Sequence, residues 1–585
     1  MKPPSPMSTF LERIKVHLHS IYGPGEYEEF IGRLVSAMRI DEHFYQPVPY
    51  TSHWTEKDVA LIAYGDSVIS EGESPLRVLG KFLDKHLSEA IDILHILPFF
   101  PWTSDDGFAV SDYDEVKSEL GDWSDIENLA TRYRIMSDLV VNHCSSAHKW
   151  FEQYQRGEKP GSEYFFEVSP AEDLSQVTRS RVSPLLRPTE TATGMKHVWC
   201  TFGHDQIDLN FRSTELVLEL VKIIRRQLDH GISIFRLDAI AFIWKEIGTN
   251  CINLPQTHEI IRLFRTLIEH VKPNAVIITE TNIPNQENLS YFGNMNEAHW
   301  IYNFSLPPLL LHAMTSGSSK YLKSWLMGVP AAQLGTAYFN FIASHDGIGL
   351  RPAEGLLEDA EIAAMVETMK SFGARVSARA LPDGGSKPYE INISLFDAMQ
   401  GTAEGPDLLG EDRFIAAHAI LLSLEGIPAF YIHSLLGTRN DYEKADASGI
   451  NRHLNRHQWD SDDLENALSD PTNPHAKVLK RLSLLIELRK EQPAFHPNAT
   501  QFTLHLGDAL FGYWRQSLDR KQNVFCIHNI NKQPQDIALS SINLVATEEW
   551  IDLISGRELE KENSLLNLAP YQCVWLVNKR KHLPY

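Results

Sequence analysis

The chain has 585 residues, 43% of them hydrophobic, and a formal net charge of −22 at pH 7. A chain of this length and apolar content can bury a large core and form more than one domain. The acidic charge is spread along the sequence without a basic block, which argues against binding to nucleic acid or to an anionic membrane surface. We therefore expect a globular protein of several parts that binds neither.

The cysteines and the N-terminus indicate the compartment. Five cysteines are scattered without CxxC spacing, at Cys144, Cys200, Cys251, Cys526 and Cys573. This pattern predicts reduced thiols rather than a disulfide framework or a structural zinc site. MKPPSPMSTFLERIKVHLHSIYG lacks the apolar core of an export signal, and no run of about 20 apolar residues could span a membrane. A cytoplasmic protein is expected.

Residues 1–56 are predicted to form a helical N-terminal extension. Apolar residues recur at helical spacing in STFLERIKVHLHSIYG, and Ser8 is the candidate N-cap of this helix. Nothing in the pattern indicates a role in chemistry, so the extension is interpreted as accessory.

Residues 57–494 alternate short β-rich apolar segments with amphipathic helical segments. The β-rich segments are VALIAYG, AIDILHILPFF, RIMSDLVVNH, ISIFRLDAIAF, AVIITETNI, TAYFNFIASHD and AFYIHSLLG. Apolar strands separated by helices are typical of an α/β fold with a parallel sheet buried on both faces. Seven such segments favour a closed (β/α)₈ TIM barrel over an open sheet.

Two connections are too long to be simple crossovers. Residues 144–200 follow strand 3 of such a barrel and residues 347–400 follow strand 7, and both are predicted to be inserted domains. Long loops in a compact domain are usually functional, and these two leave the face on which barrel enzymes build their sites. From residue 495 to residue 585, short alternating segments between turns predict an antiparallel β domain.

Charged or imidazole side chains end four of the predicted strands. They are Asp138 with Asn142 and His143, Arg236 with Asp238, Glu280, and His345 with Asp346. A single acidic residue at a strand end is usually a helix cap or a salt-bridge partner. Four strands that end in this way converge on one mouth of a barrel, which favours a catalytic site.

These strand ends resemble the signature regions of a known enzyme family. DLVVNH, FRLDAIAF, ITETN and ASHDGIG, in this order, are similar to the four signature regions of the α-amylase superfamily, glycoside hydrolase family thirteen. The resemblance extends from about residue 58 to the C-terminus. It implies a retaining reaction, in which two carboxyl groups about 5 Å apart act on one anomeric carbon.

The resemblance assigns three catalytic carboxyl groups. Asp238 would be the nucleophile, Glu280 the general acid and base, and Asp346 a third carboxylate that binds sugar hydroxyls. Arg236 precedes the nucleophile by two residues on the same strand face. It would keep Asp238 ionised, because a nearby cation lowers the pKa of a carboxyl group, while Glu280 would keep its proton.

The resemblance also predicts the residues around one glucose ring. They are Asp105 and Phe108 in SDDGFAVSDYDEV, Arg452 in GINRHLN, and the histidines His143 and His345. Asp105 and Arg452 would clasp the far hydroxyl, Phe108 would lie beneath the ring, and the histidines would donate hydrogen bonds. A pocket closed in this way favours an exo-acting enzyme on a small glucoside.

Two further segments, DAIAFIWKEIGTNC and PYEINISLFDAM, resemble the sucrose phosphorylase branch of the superfamily. Members of this branch transfer glucose reversibly between a small acceptor and inorganic phosphate. Arg179 and Arg181 in VTRSRVSPLLRP are the candidate phosphate ligands, and Arg181 stands at the position of the branch's phosphate-contacting arginine. A solvated basic loop is the alternative.

On the acceptor side the chain departs from the sucrose phosphorylases. Phe242, Asn282 and the pair Tyr389 and Glu390 stand where those enzymes carry Tyr, His and Tyr-Gln. These changes alter the donors offered to fructose. Together with the longer N-terminus and the segment SLPPLLLHA, they make the chain most similar to the glucosylglycerate phosphorylases.

A glycerate acceptor carries a carboxylate, which requires a cation nearby. Arg179, Arg187 and Lys387 are the candidates, whereas Glu390 would oppose an anion if it pointed inward.

The sequence therefore predicts a retaining glycoside phosphorylase that transfers an α-glucosyl group between D-glycerate and inorganic phosphate, with α-D-glucose 1-phosphate as product. Sucrose, sucrose 6-phosphate and glucosylglycerol phosphorylases, or a related glucosidase or transglucosylase, are the alternatives. A non-catalytic carbohydrate-binding relative is the alternative from another class. The resemblance implies no metal and no cofactor, only a small glucoside and phosphate as partners, and a monomer or homodimer.

Overall fold

The computed structural model describes residues 5–179, 181, 183–380, 385–542, 549–559 and 565–579. The predicted extension, first insertion, second insertion and C-terminal domain therefore each include residues that lie outside the described ones: 1–4, 180 and 182, 381–384, and 543–548, 560–564 and 580–585.

Eight parallel strands close into a barrel. They are β1 (Ala60–Ala63), β2 (Ile93–Ile96), β3 (Arg134–Val140), β4 (Ile232–Asp238), β5 (Val276–Thr279), β6 (Trp300–Tyr302), β7 (Ala337–Phe341) and β8 (Ile427–Tyr431). Each strand pairs with its neighbour in chain order, and β8 pairs with β1. The strands are apolar because helices cover their outer face and packed side chains fill the interior. The predicted (β/α)₈ TIM barrel is confirmed.

The strand missing from the sequence prediction is β6, which has three residues. Its segment, HWIYNF, is too short to show a period and directly follows a polar loop, so it carries little local signal. Barrel closure supplies its partners, since Ile301 pairs with Thr279 of β5 and with Tyr338 of β7. The tertiary structure therefore determines this strand.

Two helices lie within the predicted extension: α1 (Pro6–Tyr22) and α2 (Glu28–Met38). The N-cap of α1 is Ser5, whose hydroxyl accepts a hydrogen bond from the backbone N–H of Ser8 at 3.2 Å. Ser8 is therefore inside the helix, and its prediction as the cap is wrong. Pro6 allows the earlier start, because proline is well suited to the first helical position.

The remaining helices cover the barrel or lie in its loops. They are Pro75–His86, Trp123–Ala130, Lys149–Arg156, Thr214–Asp229, Pro255–Glu269, Asn285–Leu289, Leu306–Ser316, Lys320–Gly328, Asp359–Ser371, Leu395–Ala398, Gly410–Ser423, Ile432–Leu435, Tyr442–Ser448, Ser461–Ser469 and Pro474–Lys490. Thr214–Asp229 illustrates why they form: Ser213 caps its first turn, and an apolar face that includes Leu216 and Val221 is buried.

Short strands follow the carboxyl ends of β3 and β7. After β3 come His143–Ser145, Leu186–Thr191, Gly194–Trp199 and Gln206–Asp208. After β7 come Ile348–Gly349, Arg375–Ala380 and Ser386–Asn392, which form one antiparallel sheet. Two further short pairs are Gly401–Thr402 with Gly405–Pro406, and Val68–Ile69 with Trp459–Asp460. The strands that follow β3 and those that follow β7 lie at the mouth of the barrel and enclose the candidate site.

The last part of the described chain is an antiparallel β region. Its five-stranded sheet consists of Thr500–Thr503, Leu510–Gln516, Asn523–Asn529, Cys573–Asn578 and Trp550–Asp552, and Gln535–Ala538 pairs with Leu565–Leu568. Tyr513 and Arg515 bind Ser423 at the end of a barrel helix, at 2.6 and 2.7 Å. These buried hydrogen bonds join the sheet to the barrel.

The helices and the cysteines bear on membrane insertion and on disulfide bonds. No helix among the described residues is long and apolar enough to cross a membrane. The five cysteines are all unpaired, and four of them are buried.

Candidate functional site

A pocket of about 730 Å³, its open mouth included, lies at the carboxyl ends of the barrel strands. Its volume is in the range of small-molecule sites. The predicted residues that line it are Asp105, Phe108, His143, Arg181, Arg236, Asp238, Phe242, Glu280, Asn282, His345, Asp346, Tyr389 and Arg452. Arg179 and Glu390, which were also predicted to lie at the site, are not among the lining side chains.

Asp238 is the last residue of β4, and Arg236 of the same strand holds its carboxylate. Arg236 Nη1 donates to Asp238 Oδ1 at 2.7 Å and also contacts Asp138 of β3. Residues two apart in a strand share a face, so the guanidinium of Arg236 lies beside Asp238, the candidate nucleophile. Arg236 is 2% exposed, and its burial is tolerated because two carboxylates pair with it.

Asp138 is held from its other side by His95 of β2. His95 Nε2 lies 2.8 Å from Asp138 Oδ2, and both side chains are fully buried. Although burial opposes it, the charges of Arg236 and His95 lower the pKa of Asp138. Sequence reasoning missed His95, whose signal is a single polar residue inside the apolar strand ILHI.

Glu280 directly follows β5, the neighbour of β4. Its Oε2 accepts a hydrogen bond from the backbone N–H of Ala239 at 3.0 Å. Ala239 adopts a φ of 50°, a left-handed conformation that is costly for any residue with a Cβ. This bend directly after Asp238 ties the ends of β4 and β5 together, so both carboxyl groups face one pocket.

Burial raises the pKa of both Asp238 and Glu280. Arg236 opposes the shift in both groups, but it contacts Asp238 directly. Glu280 accepts one backbone N–H, and within the described residues no cation forms an ion pair with it. We therefore assign the negative charge to Asp238 and the shared proton to Glu280.

Asp346 is the third carboxylate on the pocket and is surrounded by cations. Arg452 Nη1 lies 2.6 Å from Asp346 Oδ1, and Arg456 Nη2 lies 3.9 Å from the same oxygen. Although burial opposes it, Arg452, His345 and Arg456 hold the pKa of Asp346 well below its usual range. Asp346 is therefore charged at neutral pH.

Arg452 uses its other edge to bind Glu390. Its Nε and Nη2 donate to the two carboxylate oxygens of Glu390 at 3.0 and 2.7 Å. Glu390 is 2% exposed and lies behind Arg452, away from the pocket. The contact of Glu390 with an acceptor stays a prediction, and its pairing with Arg452 offsets the charge that would oppose an anion in the pocket.

Phe108, His143 and His345 also line the pocket. Phe108 stacks on His345 with the ring centroids 5.2 Å apart. His143 Nε2 lies 2.9 Å from the carbonyl of Phe108 and 3.3 Å from Gln206 Nε2, which also donates to Asp105 at 3.1 Å. Burial lowers the pKa of His143, and that of His345 to about 3, so both rings are neutral at physiological pH.

Asp105 and Arg452 both line the pocket, but the structure does not pair them directly. Arg452 is engaged by Asp346, and Asp105 is bound by Gln206, which sequence reasoning missed. The adjacent Asp106 was also missed. With a φ of 47°, it contacts Arg456 and lies 2.7 Å from His453 Nε2. The doublet in SDDG was the only local signal for this second carboxylate.

We call the buried ion pairs of Asp138, Arg236, Asp238, Asp346 and Arg452 the charged wall of the pocket. A second group, Arg181, Phe202, Phe242, Asn282, Arg351 and Tyr389, is called the aromatic wall, and all six line the pocket.

Aromatic contacts organise the aromatic wall. The guanidinium of Arg181 lies 5.8 Å from the ring centroids of both Phe202 and Tyr389. Phe242 meets Phe202 edge to face at 5.7 Å, and Asn282 Nδ2 donates to the Tyr389 hydroxyl at 3.4 Å. These contacts place Arg181 on the pocket without giving it a carboxylate partner.

The other loop cations predicted from the sequence are placed elsewhere. Arg179 contacts a backbone carbonyl of its own loop, and burial lowers its pKa. Arg187 donates to a backbone carbonyl at 2.6 Å, and Lys387 pairs with two carboxylates at 3.0 and 3.6 Å. None of the three lines the pocket, whereas Arg181 does.

The arrangement brings a carboxyl group paired with an arginine, a second carboxyl group with a backbone donor and two neutral histidines to one cavity. Retaining displacement at an anomeric carbon requires this division between nucleophile and acid. Among the described residues, no group of three or more His, Cys, Asp and Glu side chains is arranged to hold a metal ion.

Comparison with known proteins agrees with the fold and identifies the family. The alpha-amylase catalytic domain pattern matches residues 86–348. The glucosylglycerate phosphorylase of Allomeiothermus silvanus is 42% identical over 527 residues, which cover 90% of this chain and 92% of that protein. The glucosylglycerate phosphorylase of Escherichia coli (strain K12) is 40% identical over 572 residues, 97% of this chain and 100% of that protein.

Solved structures give the same result. The crystal structure of sucrose 6F-phosphate phosphorylase from Thermoanaerobacter thermosaccharolyticum superposes with a TM-score of 0.70 at 26% identity, and the match covers 81% of this chain and 94% of that one. The predicted resemblance is confirmed: the chain belongs to the α-amylase superfamily, in the branch that contains the glucosylglycerate and sucrose phosphorylases.

Proposed function

We propose that this protein is a retaining phosphorylase that transfers an α-glucosyl group between D-glycerate and inorganic phosphate. The observation that carries the proposal is the pair Asp238 and Glu280 on one pocket: Arg236 donates to Asp238, whereas among the described residues Glu280 has a backbone donor and no cation partner. The acceptor follows from the relatives named glucosylglycerate phosphorylase, whose similarity covers nearly the whole chain.

In the first half-reaction the glucosidic bond of 2-O-α-D-glucosylglycerate breaks. A carboxylate oxygen of Asp238 bonds to the anomeric carbon, while Glu280 gives its proton to the departing glycerate oxygen. The product is a β-glucosyl ester of Asp238 and free D-glycerate. The buried ion pair with Arg236 keeps the attacking group ionised before the step.

In the second half-reaction inorganic phosphate takes the place of glycerate. A phosphate oxygen attacks the anomeric carbon, the bond to Asp238 breaks, and α-D-glucose 1-phosphate forms with net retention. Phosphate is already anionic, so it needs little help from Glu280 as a base. Arg181 supports this step, because it is a cation on the pocket that no carboxylate within the described part of the chain engages.

Asp346, His143 and His345 act on the glucose ring rather than on the bond that breaks. The charged carboxylate of Asp346 accepts hydrogen bonds from ring hydroxyls, and the neutral ring of His345 donates to them. The N–H of His143 bonds the carbonyl of Phe108 and so holds the loop beneath the ring. Phe108 offers an apolar face to the ring. Contacts that strengthen as the ring flattens toward an oxocarbenium ion lower the barrier to both half-reactions.

The test is an acceptor screen with α-D-glucose 1-phosphate as donor. D-glycerate, glycerol, fructose and fructose 6-phosphate are compared by the initial rate of phosphate release, with Asp238→Asn as the inactive control. The expected result is the highest kcat/KM for D-glycerate. Release of glucose from α-D-glucose 1-phosphate at the same rate with and without every acceptor would identify a hydrolase instead.

A further inference from the structure

Four arginine side chains line the pocket: Arg181, Arg236, Arg351 and Arg452. Two of them are already engaged. Arg236 pairs with Asp138 and Asp238, and Arg452 pairs with Asp346 and Glu390. A guanidinium that is neutralised by two carboxylates has little attraction left for an anionic ligand.

The other two cations, Arg181 and Arg351, form no salt bridge with any residue that the structure describes. Among the described residues, Arg181 contacts the rings of Phe202 and Tyr389. Arg351 lines the pocket and is partly buried. A partly desolvated arginine that faces a cavity without a carboxylate partner is the usual receptor for an anion, since its planar fork matches a carboxylate or a phosphate.

The backbone that carries Arg351 is fixed from two directions. Leu350 N–H donates to the carbonyl of Tyr389 at 2.9 Å, and Ser305 Oγ donates to the carbonyl of Pro352 at 3.0 Å. Arg351 begins the short helical turn Arg351–Ala353, one residue beyond the strand Ile348–Gly349. Its guanidinium is therefore presented by an anchored segment, which reduces the entropy lost when a ligand binds.

The proposed reaction uses two different anions in turn, D-glycerate and phosphate. Both enter a pocket that also holds the charged carboxylates of Asp238 and Asp346, so each anion requires a compensating cation. The proposed function assigns Arg181 to phosphate, which leaves Arg351 as the other arginine on the pocket without a carboxylate partner among the described residues. Arg187 and Lys387, the sequence candidates for that role, do not line the pocket.

We propose that Arg351 binds the carboxylate of the glycerate acceptor and thereby selects it over uncharged polyols. The inference rests on the proposed function, because it names the residue that recognises the acceptor at the same site. Glycerol is the matched probe: it has a hydroxymethyl group where D-glycerate has a carboxylate. The ratio of kcat/KM for D-glycerate to kcat/KM for glycerol therefore measures the charge recognition alone.

The experiment compares this ratio in the wild type and in Arg351→Gln, with α-D-glucose 1-phosphate as donor. Loss of a hydrogen bond to a charged group is expected to lower the ratio about 10- to 100-fold. Arg351→Lys keeps the charge and loses the fork, so its ratio is expected between the two. An unchanged ratio in Arg351→Gln, or an equal loss for both acceptors, would overturn the inference.

Lys387→Gln is the matched control, since Lys387 is a cation of the same loop region whose charge is paired with Glu354 and Asp359. Its ratio is expected to stay within about twofold of the wild type, as for most surface changes. If Arg351→Gln fails to fold, Arg351→Lys carries the same test. Wild-type protein that releases no phosphate with D-glycerate would refute the proposed function itself, whereas active wild type with an unaltered Arg351→Gln ratio refutes only this inference.

Discussion

The charged wall and the aromatic wall border one pocket but balance their charges in opposite ways. In the charged wall, Arg236 and Arg452 are each engaged by two carboxylates. In the aromatic wall, Arg181 and Arg351 have no carboxylate partner among the described residues, and Arg181 lies between the rings of Phe202 and Tyr389. The arginines of the charged wall are neutralised within the folded protein, whereas those of the aromatic wall are left to pair with an anionic ligand.

This difference separates the two tasks of a group-transfer enzyme. Dipoles and charges that are fixed before the substrate arrives cost no reorganisation during the reaction, so the charged wall suits the chemistry at the anomeric carbon. Unengaged arginines discriminate among ligands by charge, so the aromatic wall suits the choice of acceptor. Substitutions in the first wall should change turnover, and those in the second should change selectivity.

Removing the nucleophile should have the largest effect. In Asp238→Asn, kcat is expected to fall by about 10⁴-fold or more, because the amide cannot form the ester intermediate. Phosphate release from α-D-glucose 1-phosphate with D-glycerate measures the loss. Asp359→Asn, at an exposed aspartate paired with Lys387, is the matched control and should retain wild-type turnover. Activity above about one per cent in a folded Asp238→Asn would contradict the role of the charged wall.

Replacing the acid should depend on the leaving group. Glu280→Gln is expected to slow transfer between glycerate and phosphate by about 10²- to 10⁴-fold, the usual range for general acid catalysis. With α-D-glucosyl fluoride as donor the loss should be much smaller, because fluoride departs without a proton. Parallel rate measurements with the two donors give the result. Equal losses with both would assign Glu280 a structural role instead.

Breaking the support behind the charged wall should affect stability. Glu390→Ala leaves Arg452 with one carboxylate partner fewer in a buried position, and the free energy of unfolding is expected to fall by about 3 kcal/mol. Urea titration measures the change. Glu367→Ala removes an exposed partner of Lys370 and should cost no more than about 1 kcal/mol. Equal effects of the two substitutions would show that the buried pair of Glu390 and Arg452 stabilises the fold no more than an exposed pair does.

The pH dependence should show the smallest effect, and it tests which of the two carboxyl groups carries the proton. Burial raises the pKa of Glu280, so its acid form persists to a higher pH than that of an ordinary glutamate and is lost as the pH rises through the raised pKa. Above it, kcat/KM for glycerate transfer should fall about tenfold per pH unit. The alkaline limb should vanish in Glu280→Gln assayed with α-D-glucosyl fluoride, and its persistence there would assign the limb to another group.

The sequence predicted much of the fold because barrel strands carry a strong local signal. Seven continuous apolar segments marked seven of the eight strands, and only β6 was too short to recognise. The candidate catalytic residues were predictable for a related reason: Asp238, Glu280 and Asp346 all stand at or just beyond the end of such a segment. Polar residues that interrupt an apolar pattern are visible without coordinates.

The sequence did not predict which arginines pair with carboxylates of the protein. The sequence predicts that Arg452 and Asp105 bind one sugar hydroxyl, but it does not show that Asp346 and Glu390 both pair with Arg452. Arg351 received no role at all, because one arginine in an irregular loop resembles any solvated surface cation. Asp106 and Gln206 were missed for the same reason.

The order of residues along the chain was thus enough to establish the barrel, the family and the three carboxyl groups, since each depends on periodicity or on a short motif. Which charges are neutralised and which face the ligand depends on distances between segments that lie far apart in the chain. Those distances exist only once β7 and the two long loops have packed around the barrel mouth. The difference between an engaged and an available arginine is therefore a property of the folded structure.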